Sequence, residues 1–118
     1  MTSQKFADDV ASITAELAEV LEQMPVADVP RSFVDLALFL GEVVDQHPDR
    51  ITATYCSVDW WGGAGSMADL SLPDKDANQS RHRLLADLVD TFESSGYSCP
   101  RARQWRDTFR HWLKSGAK

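Results

Sequence analysis

The stretch Asp59-Trp60-Trp61-Gly62-Gly63-Ala64-Gly65-Ser66-Met67-Ala68-Asp69-Leu70 holds two of the four tryptophans and three of the six glycines. How it is read decides the fold. Just upstream, Ile51-Thr-Ala-Thr-Tyr-Cys-Ser-Val58 shows no helical periodicity, and its Ile, Thr, Tyr and Val favour a pleated strand. Just downstream, Leu70 and Leu72 alternate with Asp69 and Ser71, so Met67 to Leu72 reads as a half-buried strand. Two strands joined by a Gly-rich connection form a β-hairpin. A lone hairpin is marginal, so this one must lie on helices or pair with another chain. Side chains alternate along an extended segment. That places Trp60 inside, in phase with Cys56 and Val58, and Trp61 at the surface beside Asp59.

Helices flank the hairpin on both sides. Over residues 3–24, Phe6, Val10, Ile13, Leu17, Val20 or Leu21, and Met24 recur at three- and four-residue steps and make one apolar stripe; Pro25 ends that helix. A short link with Pro25 and Pro30 at its edges follows. Ser32 and Asp35 resemble a capping box at the start of a second helix, about 31–47. Its Phe33, Val34, Leu36, Ala37, Leu38, Phe39, Leu40, Val43 and Val44 leave little polar face, which marks it as the central core helix. His47-Pro48 closes it. Beyond the polar loop 73–79, Asn78 or Ser80 is expected to cap a third helix, about 79–95, that stops at Gly96. Ser98 is expected to cap a fourth, with Pro100 in its first turn and Trp105, Phe109, Trp112 and Leu113 on its apolar face. The expected fold class is α+β and mainly helical: two helices, a β-hairpin, two helices, in one domain spanning 1–118.

The bulk properties exclude several classes. No apolar run reaches the roughly 18 residues of a membrane span, and Met1 to Val10 carries Asp8 and Asp9 in place of a signal core. A cytoplasmic protein with no membrane partner is expected. The net charge of −6 is unevenly distributed. Residues 1–97 hold 17 Asp/Glu and 6 Lys/Arg, whereas residues 98–118 hold one Asp and 6 Lys/Arg. The acidic body argues against nucleic acid. The basic tail suits either an anionic partner or the protein's own acidic helices. Cys56 and Cys99 lack metal-ligand spacing and read as reduced, small buried hydrophobes.

The glycine stretch is the candidate site. Glycines at 62, 63 and 65 permit positive φ or close approach of another group. One reading is a structural loop. The other is a binding surface made by Asp59, Trp60, Trp61, Gly62, Gly63, Gly65, Ser66 and Asp69, with indole donors and a backbone nest for an anion. No lysine precedes Ser66, so a phosphate-binding P-loop is disfavoured, and the dinucleotide fingerprint is absent. Ser66 is not in a nucleophile elbow. His47, His82 and His111 lie at no metal spacing. No catalytic residue, metal or cofactor is expected, although Asp59 and Asp69 offer an acid–base pair as an alternative.

Trp61-Gly62-Gly63-Ala64-Gly65-Ser66-Met67-Ala68-Asp69-Leu70 resembles the W/F-G-G-M-G-S-x-N-D-L stretch of a family of small bacterial proteins, a domain of unknown function. The chain departs from it at Ala64, where the pattern has Met, and at Ala68, where it has Asn. The resemblance implies a bacterial source and a constrained Gly-rich turn, and supplies no activity. The leading functional expectation is a non-enzymatic protein-binding module, of immunity or antitoxin type, as a monomer or homodimer. Its acidic charge would speed encounter with a basic protein partner. The alternatives are a small-molecule or anion-binding protein that uses loop 61–66, and an enzyme that uses Asp59 or Asp69.

Overall fold

The protein's structure, a computed structural model, describes residues 4–24, 31–63 and 65–116. Its elements are α1 (Gln4–Glu22), α2 (Arg31–Gln46), a 3-10 turn (Pro48–Arg50) that runs straight into α3 (Ile51–Tyr55), α4 (Val58–Trp61), α5 (Lys75–Ser94) and α6 (Pro100–Ser115). The link 25–30, with its expected helix-ending Pro25, lies outside the described residues. Every regular element among the described residues is helical, so the fold is all-α and the expected α+β class with a β-hairpin is wrong. None of these helices is long and apolar enough to cross a membrane.

The hairpin fails for a local and a long-range reason. Pro48 needs no N–H partner in a first helical turn, so it ends α2 and also opens the 3-10 turn, where the Arg50 amide donates to the His47 carbonyl at 2.9 Å. The chain is therefore already helical on reaching Ile51. Ile51 and Tyr55, four residues apart, then fall on one buried face. The β-preference of Ile, Thr, Tyr and Val describes fit to a pleated surface rather than a backbone requirement, and the second strand it needs is missing. The segment expected to supply it folds as successive turns, with Asp69 N donating to Ser66 O at 3.2 Å and Leu70 N to Met67 O at 3.4 Å.

The four long helices pack in the order α2, α1, α5, α6, with α3 on α2 and α4 on α6. The core lies on both sides of α1 and α5. Phe6, Ala7, Val10, Leu17, Ala18 and Leu21 of α1 meet α2 on one flank and α5 on the other. The α1–α2 crossing is close at Gly41, where a Cβ would stand 2.7 Å from the Thr14 hydroxyl. That hydroxyl is turned back onto the Val10 carbonyl at 2.9 Å.

The second helix is thus an outer helix and not the centre of the core. It buries Val34, Ala37, Leu40, Gly41, Val43 and Val44 on one side, while Leu38 and Phe39 remain 45% and 44% exposed. Apolar residues surround it, but among the described residues the elements packed against it are chiefly α1, α3 and the 3-10 turn, and they cover one side.

Helix α5 starts four residues earlier than expected. Asp74 caps it, accepting from Ala77 N at 2.8 Å, and Asn78 and Ser80 lie inside. Its end follows the sequence reading. Gly96 takes φ 89°, its amide donates to Glu93 O, and the Tyr97 amide reaches back to Phe92 O at 3.0 Å. The Tyr97 ring closes on the Phe92 ring, 5.9 Å between centroids, the apolar contact expected of this stop. Cys99, rather than Ser98, precedes Pro100 at the start of α6.

The basic tail pairs internally. Arg103 meets Glu93 at 2.8 Å, Arg106 bridges Asp90 and Glu93 at 2.9 and 2.7 Å, and Arg110 bridges Asp87 and Asp90 at 2.9 and 2.7 Å. Hydrogen bonds from Arg103 and then Arg106 hold the Glu93 carboxyl below its ordinary range against the opposing effect of burial. A carboxyl with a depressed folded pKa stabilises the fold above its unfolded pKa and loses that contribution as pH falls through the folded value. Glu93→Gln is therefore expected to lower Tm at neutral pH, and the gap to wild type should close below about pH 4. A pH-independent gap in thermal melts would assign the loss to packing instead of charge.

Candidate functional site

The glycine stretch begins with α4, a single helical turn. Both of its tryptophans are buried, Trp60 at 0% and Trp61 at 1% exposure. The expectation of an exposed Trp61 is wrong because the segment is helical: consecutive side chains diverge by about 100° and not 180°, so one wedge can bury both. The Trp61 indole N–H donates to the Tyr55 carbonyl at 2.7 Å. The Trp61 carbonyl in turn accepts from the Trp105 indole of α6 at 3.1 Å. The Trp60 and Trp61 rings lie 5.8 Å apart and tilted, and Trp61 meets Tyr55 edge-on at 6.0 Å.

After α4 the chain closes a compact loop of the Ω type. Met67 N donates to Asp59 O at 2.8 Å and Ala68 N to Trp60 O at 2.9 Å, tying the base. The glycines answer to geometry inside this loop. Gly62 has an ordinary helical φ, but a Cβ there would stand 2.4 Å from the Val58 carbonyl oxygen. Gly63 and Gly65 take φ of 101° and 86°, the left-handed region that residues with a Cβ avoid. Ser66 is buried, and its hydroxyl accepts from Asp69 N at 3.3 Å.

Helix α5 grips the returning limb. The Arg81 side chain is 1% exposed and donates to the carbonyls of Met67 and Ala68 at 3.0 and 3.2 Å. It also donates to Asn78 Oδ1, which accepts from Leu72 N at 3.1 Å. Burial pulls the guanidinium down to about 10, with the Asp69 charge opposing that shift. The guanidinium lies 5.8 Å from the Phe109 ring centroid. Arg81 carries the anchoring of the loop and was not singled out from sequence. The signal was a cation four residues before Leu85, on the side of α5 that also buries Asn78.

Of the eight candidate site residues, Trp60, Trp61 and Ser66 face inward and Gly63 is half-buried. Asp59, Gly62, Gly65 and Asp69 are exposed. The histidines are dispersed: His47 and His111 are exposed, and His82 is buried against Phe109 and Trp112 at 4.8 and 5.3 Å. Among the described residues no three His, Cys, Asp or Glu side chains gather as a metal site.

The outer face of α2 presents a different chemistry. Leu38 and Phe39 each lie three or four residues from both Asp35 and Glu42, so the four form one patch on the helix surface. Ser32 and half-buried Leu36 complete the lining of an open groove of about 460 Å³. Arg31 lies beside it, 3.6 Å from Asp35 and 3.5 Å from Glu22 of α1. Sequence reading absorbed Leu38 and Phe39 into the core because apolar residues surround the helix. Asp35 and Glu42, set between them, were the indication of a solvent face.

Comparison of the chain with family models, with curated proteins and with solved structures returned no match.

Proposed function

We propose that the protein is a non-enzymatic binding module that docks a basic protein partner on the outer face of α2. One observation carries this reading: Leu38 and Phe39 stand 45% and 44% exposed, with Asp35 and Glu42 beside them on the groove. Large apolar side chains anchor interfaces, and rim carboxylates select a partner of opposite charge and speed its encounter. A second copy of the chain would bring like charges together on molecules of net charge −6, and anionic lipid would be repelled in the same way. An antitoxin or immunity role, in which an acidic protein caps a basic toxin, suits this chemistry. The likeness of residues 61–70 to a bacterial family motif is then a likeness of folding: those residues build the loop that supports α4.

The test compares baits in the host's lysate: wild type, Leu38→Ala with Phe39→Ala, and Glu42→Lys. Each variant should retain its stability to within about 0.5 kcal/mol, as surface substitutions do. The expected result is a basic protein held by wild type, released by salt, lost by the double alanine variant and weakened by Glu42→Lys. Equal retention of that protein by all three baits, or a wild-type chain that elutes as a dimer broken by the alanine variant, overturns the proposal.

A further inference from the structure

Cys56 and Cys99 lie far apart in the chain and have no sequence pattern in common. The fold sets them together. Cys56 ends α3 and Cys99 precedes the first residue of α6. The Cys56 thiol donates to the carbonyl oxygen of Ser98, the residue directly before Cys99, at 3.8 Å, which makes the Cys99 thiol its neighbour. Both are free thiols; Cys56 is half-buried and Cys99 is 6% exposed. Their surroundings are apolar and close-packed: neighbouring Tyr55 stacks on Phe92 at 3.9 Å, and its hydroxyl is buried without a hydrogen-bond partner.

We propose that Cys56 and Cys99 are a redox modification site, a reversible intramolecular disulfide that staples the end of α3 to the start of α6. The oxidant class is a small-molecule disulfide such as glutathione disulfide. Cys56, the more open thiol, loses its proton and attacks one sulfur of that disulfide. The disulfide's S–S bond breaks, and one glutathione thiolate leaves and takes up the proton. The Cys99 thiol then loses its proton and attacks the Cys56 sulfur of the mixed disulfide; the Cys56–glutathione bond breaks and the second glutathione leaves protonated. Two protein thiols give up two electrons and one glutathione disulfide becomes two glutathione thiols. Burial, with the neighbouring Cys99 thiol, raises Cys56 above its ordinary range. The thiolate is scarce, so closure is slow. The site therefore responds to a sustained oxidising poise and not to a brief pulse of oxidant. Once closed, the bond encloses the tryptophan–glycine loop and all of α5, and it restricts the unfolded chain over that span. The inference does not depend on the α2 docking face.

The experiment equilibrates the purified full chain in mixtures of reduced and oxidised glutathione, quenches with acid, alkylates and weighs the protein. The expected result is a monomer lighter by about 2 Da that resists alkylation. A peptide joining Cys56 to Cys99 should appear, and Tm should rise by about 10 °C. Thiol reductant should reverse all three. Cys56→Ser and Cys99→Ser should each abolish the mass loss and the Tm rise. Should serine at buried position 99 prevent folding, Cys99→Ala supplies the same control. Persistent glutathione adducts, disulfide-linked dimers, or a bridged chain whose Tm fails to rise would each overturn the proposal.

Discussion

Trp61→Ala is expected to destabilise the fold by about 3–5 kcal/mol, the range for emptying a buried aromatic site. The side chain is 1% exposed and contacts Trp60 and Tyr55. Its indole N–H is the partner of the Tyr55 carbonyl, so truncation also leaves that carbonyl without this donor, at a further cost of order 1 kcal/mol. Trp60→Ala should fall in the same range, because Trp60 is fully buried as well. Denaturant midpoints of the two variants measure the losses. Quenching of single-tryptophan proteins, with the other three replaced by Phe, should find positions 60 and 61 equally inaccessible. A Trp61→Ala midpoint near that of wild type, together with open access of quencher at position 61, would return this residue to the surface and reinstate the glycine stretch as a contact site.

The second large effect concerns Arg81, where two terms of opposite sign compete. The guanidinium is buried and pulled down to about 10, desolvation outweighing the opposing Asp69 charge, so replacement by an apolar side chain relieves a desolvation cost. Against this stand its hydrogen bonds to Met67 O, Ala68 O and Asn78 Oδ1. Hydrogen bonds from a charged donor contribute about 1.5–3 kcal/mol each, and an abandoned buried carbonyl costs about 1–3 kcal/mol. The bonds win. Arg81→Met, which roughly keeps the volume, should destabilise by about 2–4 kcal/mol, with Ala68 O losing its side-chain donor and Met67 O keeping only the longer bond from Leu70 N. Loop amides from residue 65 to 70 should lose hydrogen-exchange protection ahead of those of α1. A variant as stable as wild type, with the loop still protected, would show that the desolvation cost dominates and that Arg81 does not hold the loop.

Much of the chain was legible before any tertiary information. The 3.6-residue recurrence from Phe6 to Leu21 is the buried face of α1. Gly96 and Pro100 mark the break between α5 and α6. The positive φ at Gly63 and Gly65 and the pairing of the tail arginines with the acids of α5 are each one of two outcomes that residue type and charge offered. These features depend on neighbours within a turn or two, or on sign of charge, so the residues on the page suffice to raise them.

Most of the features that went astray are decided wholly or partly at long range. Residues 51–61 carry strand-forming side chains, but a strand exists only through its partner; without one, the helical entry at Pro48 and the four-residue spacing of Ile51 and Tyr55 prevail. Trp61 looks exposable until α6 brings Trp105 to its carbonyl. The apolar faces of α2 differ in sequence only by Asp35 and Glu42 on one of them, and the positions of α1 and α3 determine which is covered. Cys56 and Cys99 become neighbours through the docking of α3 and α6 rather than by any spacing. The sequence by itself determined where the four long helices run and where the backbone bends after α5, because those depend on local sterics and hydrogen bonding. Tertiary structure alone decided which apolar surface is core and which faces solvent, because burial belongs to pairs of elements and not to a residue.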